Sequence, residues 1–219
     1  MALKRHDQRL SQLMDLMEGE PVTWVILGDH SSLDYNKGVR LNVLLQQKGY
    51  VTAAADGVNV KAYRALAQEG DGSAYIYAHP SLNQEAKDEL AAELKDLFAV
   101  FSREHDDCIE AVFTGEEAGA LGADDRCLLM LEAKEGYSLL DTLKGEAVDA
   151  QERPTKATHG YLPTKAGYTT VFAMRGEQIR PGRVDISMSL VDEGPTIARI
   201  FGGELPEADG RVCEEFFER

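Results

Sequence analysis

Asp29 and His30 follow directly on the apolar run Val22-Thr23-Trp24-Val25-Ile26-Leu27. A carboxylate beside an imidazole offers one oxygen and one nitrogen, a ligand set that suits zinc. Open α/β sheets bind their ligands at the carboxyl ends of strands. A third group, His159, stands beside Gly160 in a long polar segment, where little bulk hinders its approach to a metal. Each residue also has a plainer reading. Asp29 then caps a turn, His30 adjoins it by chance, and His159 is a surface loop histidine. His6, His79 and His105 have no partner at ligand spacing, and the pairs Glu116-Glu117 and Asp124-Asp125 read as solvated turns. A nucleophile elbow, a phosphate-cradling P-loop and a dinucleotide fingerprint are all absent from the sequence.

The elements that would position these groups alternate between helix and strand. Leu10, Leu13, Met14 and Met17 fall at helical spacing, and Gly19 and Pro21 end that helix. The continuous run at 22–27 reads as a strand buried on both faces. A short helix at 39–48 closes at Gly49, and residues 73–78 read as a strand. Residues 83–104 form the clearest helix, with Leu90, Leu94, Leu97, Phe98 and Phe101 on one face. Further strands are expected at 109–113, 127–133, 169–174 and 184–190. The polar stretch 144–158 is a loop. Asp192 stands as N-cap of a helix with Pro195 in its first turn, stopped by Gly202-Gly203. This alternation argues for an α/β fold with a mostly parallel sheet and flanking helices. The segment from about 40 to 155 reads as a small βαβ-type lobe within one domain portion spanning 1–219.

The chain has 219 residues, 43% hydrophobic and 28% charged, with a formal net charge of −15. That is globular composition. The acidity argues against nucleic acid and anionic membranes as partners. It does not exclude a phosphate substrate, because bound divalent cations invert the charge locally. Cys108, Cys127 and Cys213 show no CxxC spacing, so neither a disulfide framework nor a zinc ribbon is suggested. A reducing, cytoplasmic setting fits the chain as given. No stretch approaches the roughly 18 apolar residues of a membrane span.

Taken in order, these segments resemble the C-terminal half of the type I phosphodiesterase and nucleotide pyrophosphatase family, within the alkaline phosphatase superfamily. The family's Ser-Asp-His-Gly after a strand is matched by Gly28-Asp29-His30-Ser31, with the outer two residues changed. Its Asn-Leu helix ending in Gly is matched by Leu41-Asn42-Val43-Leu44-Leu45-Gln46-Gln47-Lys48-Gly49. Ala74-Tyr75-Ile76-Tyr77 matches a strand, and Glu132-Ala133-Lys134-Glu135-Gly136-Tyr137 an acidic Gly-Tyr turn. The His-Gly-Tyr-x-Pro loop is His159-Gly160-Tyr161-Leu162-Pro163. Phe172-Ala173-Met174-Arg175-Gly176 matches a strand ending in x-Gly, Asp192 to Ile197 the Asp-x-x-Pro-Thr-Ile helix, and Leu205 to Gly210 the tail.

The resemblance implies a partial alkaline-phosphatase-like sandwich and a site with two divalent metal ions, commonly zinc. It assigns Asp29 and His30 to one ion and His159 to the other. It implies a phosphate ester or nucleotide substrate. The family's first metal Asp, its Thr or Ser nucleophile and its Asp-x-x-x-His motif lie upstream of the matched region, so the expectation is a portion that relies on a missing N-terminal half. Two zinc ions need roughly six protein ligands, and three are named here. By itself the chain is therefore expected to hold at most one ion, weakly, and a dimer through an uncovered sheet edge would be no surprise. The alternative is a standalone binding or assembly domain that keeps the fold without the chemistry.

Overall fold

A computed structural model describes residues 2–150 and 156–218. In chain order it contains α1 (Ala2–Leu16), β1 (Trp24–Leu27), β2 (Leu33–Arg40), α2 (Leu41–Gln47), β3 (Val51–Ala53) and β4 (Val60–Tyr63). There follow β5 (Ala65–Gly70), β6 (Ser73–Ala78), α3 (Gln84–Glu104), β7 (Ile109–Thr114), α4 (Gly115–Ala120) and β8 (Leu129–Ala133). The last are β9 (Gly136–Leu140), β10 (Val148–Ala150), β11 (Ala157–Thr158), β12 (Phe172–Arg175) and α5 (Glu193–Ile200). They fall into two compact units, His30–Thr169 and the pair of segments Met1–Asp29 with Thr170–Arg219.

The larger unit is built on the antiparallel sheet β5-β6-β8-β7. Strands β6 and β7 both run antiparallel to β8, which lies between them, so α3 connects two strands of the same direction. Helix α3 begins at Asn83, whose side chain accepts the Ala86 amide. Its buried stripe, Leu90, Leu94, Phe98 and Phe101, repeats at helical spacing and enters the core with Ile76, Leu129 and Leu131. All five residues of β8 are buried. Successive side chains of a strand point to opposite faces. Leu129, Leu131 and Ala133 accordingly join the main core, while Met130 joins Ala118 and Cys127 on the other side. Glu132 shares the Met130 face.

A second layer of pairing surrounds β2. It runs parallel to β9 and antiparallel to β10 and β11. Buried Asn42 of α2 ties this region to β5, donating to the Ala67 carbonyl and accepting the Ala67 amide. Gly49, at φ +82°, ends the chain's excursion after α2 as its sequence position predicts.

In the smaller unit β1 pairs antiparallel with β12, from Trp24 opposite Arg175 to Leu27 opposite Phe172. The 3-10 turn Leu190–Asp192 leads into α5. The buried Asp192 carboxylate accepts the Ser189 and Arg211 amides at 2.9 and 2.8 Å. Those two amides hold its carboxyl below the ordinary aspartate range, Arg211 more than Ser189. Buried Thr196 accepts the Cys213 amide, so the tail is folded back onto α5.

The mixed α/β character and flanking helices stand, but the mostly parallel sheet does not. Among the described residues β2–β9 is the one parallel pairing, and the others are antiparallel. A continuous apolar run is compatible with any strand covered on both faces, and β8 reaches that state in an antiparallel sheet. The strand at 24–27 is only partly buried, with Leu27 exposed. Residues 184–189 form no strand; Asp192 stands at the N-cap of α5 as expected, but its carboxylate makes no cap bond there and instead closes a capping box with Ser189 across the preceding 3-10 turn. The 144–158 loop contains β10 and β11, and its residues 151–155, Pro154 included, lie outside the described residues. Glu116 and Glu117 open α4, where Glu117 completes a capping box with Thr114. Asp124 is held by Arg126 and the Tyr77 hydroxyl.

Candidate functional site

The antiparallel pairing of β2 with β11 sets Leu33 opposite Thr158. His30 lies just before β2 and His159 just after β11, so the register delivers both imidazoles to the same end of the ladder. The rings lie face to face, with centroids 4.2 Å apart and a 25° tilt. His30 donates Nδ1–H to the Ser31 carbonyl at 2.9 Å, because a carbonyl oxygen can only accept. That hydrogen bond holds the ring through Nδ1, a support usual for metal-binding histidine.

A tight turn supports His159. Strands β5 and β6 form a hairpin with Gly70 paired to Ser73, leaving Asp71 and Gly72 as its loop. Asp71 adopts φ +65°, a left-handed conformation that Asp tolerates better than most residues. The Gly72 amide donates to the His159 carbonyl at 2.7 Å. The Asp71 carboxylate stands 3.9 Å from His159 Nε2, too far for a hydrogen bond but within Coulombic reach. Tyr161 packs on the same turn, where a Cβ at Gly72 would fall 2.4 Å from its ring.

The segment after His159 is anchored at four points. The Gly160 amide donates to the Tyr168 hydroxyl, and the buried Tyr161 hydroxyl donates to the Tyr137 carbonyl at 2.6 Å. Burial pushes the Tyr161 phenol well upward, with the Glu132 and Asp71 carboxylates adding to the shift, so it remains a donor. The Leu162 amide donates to both oxygens of Glu132, and the Lys165 ammonium donates to Glu132 and to the Ala133 carbonyl. Glu132 is 1% exposed. Burial raises its carboxyl above the ordinary range, opposed by the Lys165 ammonium and the Leu162 amide.

The structure brings His30 and His159 together. Asp29 belongs to the other compact unit, where its charge adds to burial in raising the Glu193 carboxyl. Among the described residues no group of three or more His, Cys, Asp or Glu is arranged to hold a metal ion. A metal sits in the plane of an imidazole about 2 Å from its nitrogen. Two stacked rings do not aim their lone pairs at one point, so this pair does not fit a single shared ion. It does fit one ring per ion of a two-ion centre, whose ions lie roughly 3.5–4 Å apart. Asp71, Glu132 and Lys165 did not stand out as site residues in the sequence. The signals were faint: an Asp between two glycines, one acid directly after the apolar run Leu128-Leu129-Met130-Leu131, and a lysine two residues after Pro163.

Comparison with known proteins gives the context. The human ectonucleotide pyrophosphatase / phosphodiesterase 5 structure matches with a TM-score of 0.67 at 14% identity, over 100% of this chain and 52% of that one. The murine protein of the same name matches with a TM-score of 0.61 at 16% identity, over 94% and 48%. At these identities the likeness is one of fold, and the chain spans about half the length of these structures. No curated protein sequence matches it. Among the described residues no helix is long and apolar enough to cross a membrane. The family model of type I phosphodiesterase / nucleotide pyrophosphatase matches residues 1–162, and the chain belongs to that family.

Proposed function

We propose that this chain is the C-terminal portion of a metal-dependent phosphodiesterase or nucleotide pyrophosphatase-type hydrolase. It contributes Asp29 and His30 to one divalent ion and His159 to the other. The nucleophile and the remaining ligands come from the other half of the complete protein. Residues 1–219 are one catalytic-domain portion in this reading, and the segment from about 40 to 155 is its small lobe. The observation that carries the reading is the face-to-face pair of His30 and His159, supported by the family to which the chain belongs.

When bound, two divalent ions, zinc by the donor set, draw charge off a phosphoryl group and steady the attacking and leaving oxygens. The chain's own part is to orient. His30 is oriented by its Nδ1–H on the Ser31 carbonyl. The β5–β6 turn holds the His159 backbone, and the Asp71 carboxylate stabilises positive charge near that imidazole. A formal charge of −15 repels a phosphate ester at long range. The ions therefore supply the attraction for a phosphate ester or nucleotide, and the chain alone holds at most one of them weakly.

Hydrolysis of a chromogenic phosphodiester with added zinc tests this, using the 219-residue chain, the complete protein and Asp29→Ala in each. The expected result is activity in the complete protein only, abolished by Asp29→Ala. Activity of the chain alone that Asp29→Ala removes would place the nucleophile within these residues and overturn the division of labour. Inactivity of the complete protein would favour a binding or assembly domain that has kept the fold.

A further inference from the structure

We infer that Glu132 is the positioning residue for His159, acting through the Leu162 amide and the Lys165 ammonium. The inference deepens the proposed function and rests on His159 being a site residue. Glu132 is the one fully enclosed acid on the central strand β8, and its pleat directs it to the face that receives the 159–165 segment. Burying a carboxylate is costly unless it is paired and hydrogen-bonded. Among the described residues its hydrogen-bond partners lie on that segment: Leu162 N at 3.1 and 3.2 Å from the two oxygens and Lys165 Nζ at 2.7 Å. Lys165 is itself buried, with a side chain 8% exposed, and also reaches Glu110 at 3.2 Å.

The geometry is a clamp on both sides of the histidine. Before it, Thr158 is pinned by the β2 ladder. At it, the Gly72 amide holds the His159 carbonyl. After it, the Tyr161 hydroxyl and the Glu132 pair fix the chain to β9 and β8. Nothing in core packing requires an ion pair at this place, since an apolar pair of similar volume fills a core at least as well. What the acid supplies is a bidentate acceptor for a loop amide. That sets the direction in which the chain leaves His159, and with it the stacking on His30.

The test uses the 219-residue chain and the volume-matched double variant Glu132→Leu, Lys165→Met, with Glu132→Met and Lys165→Arg beside it. The first readout is the cross-relaxation between the His30 and His159 ring protons by NMR. The second is the zinc affinity of the complete protein, with and without the same substitutions, by calorimetry. The double variant is expected to keep cooperative unfolding and the amide dispersion of β5, β6 and β8, yet lose the ring contact. Zinc affinity should fall about tenfold or more, the usual consequence of releasing a ligand's support. Lys165→Arg should retain both. A ring contact that survives in the folded double variant would overturn the inference and reduce Glu132 to a core residue. Should that variant fail to fold, the single variant Glu132→Met, which leaves the Leu162 amide without its acceptor, reads the same contact, and its persistence there would overturn the inference equally. A complete protein that keeps the ring contact but binds no zinc would sink the metal reading of His159, and loss of the ring contact in the double variant would still support the positioning role.

Discussion

Gly160 and Gly70 approach so closely that a Cβ built on Gly160 would lie 1.8 Å from the Gly70 carbonyl oxygen. Gly160 also has φ +81°. Two independent constraints, sterics and backbone conformation, therefore demand glycine beside His159. Gly160→Ala should cost about 3 kcal/mol or more, the sum of left-handed strain and overpacking. Gly167, at φ +71° with open space around it, provides the control. There the same substitution pays only the backbone term, about 1–2 kcal/mol. Urea unfolding of the two variants gives the comparison, and equal losses would show that the close approach to the β5–β6 turn is not maintained.

His159→Ala in the complete protein should weaken zinc binding by about tenfold or more, as expected for loss of an imidazole ligand. Calorimetric titration reads the effect directly. Unchanged affinity would remove His159 from the site, whatever its stacking on His30.

Phe98, fully enclosed on α3, and Val100, exposed on the same helix, should respond differently to truncation. Phe98→Ala should destabilise by about 3–5 kcal/mol through lost burial and a residual cavity. Val100→Ala should stay within about 0.5 kcal/mol. A large loss at Val100 would mean that this face of α3 is covered in solution.

The smaller unit should carry a pH dependence traceable to Asp192. Its folded carboxyl is held below its unfolded value by the Arg211 and Ser189 amides. Its contribution is therefore complete above the unfolded aspartate value of about 3.9 and is lost as pH falls through the folded value. Urea midpoints followed from about pH 5 down to about pH 2 should drop more steeply for the wild type than for Asp192→Asn. Parallel curves would rule Asp192 out as the source.

Much of the local structure was legible because it depends on neighbours in the chain. The stripe Leu90, Leu94, Phe98 and Phe101 specifies α3 through helical periodicity alone, and Gly49 marks a helix end because few other residues adopt its conformation. Strand β6 falls at 73–78 as its composition suggests. The turn chemistry at 144–158 concealed two short strands, since β10 and β11 are made by partners on β2 and not by their own composition.

By itself the sequence determined the family, the major helices and the three residues Asp29, His30 and His159 as candidates, because motifs, caps and periodicity are short-range properties. Tertiary structure alone decided the direction of the strands, the pairing of β2 with β11, and the meeting of His30 with His159 across about 130 residues of chain. It also decided that Glu132, one acid directly after an apolar run, faces the loop that carries His159. The physical reason is that every residue presents nearly the same backbone donor and acceptor to a ladder. Sequence says which faces must be buried, but the choice of neighbour and direction is made only when the whole set of strands and helices closes around one core.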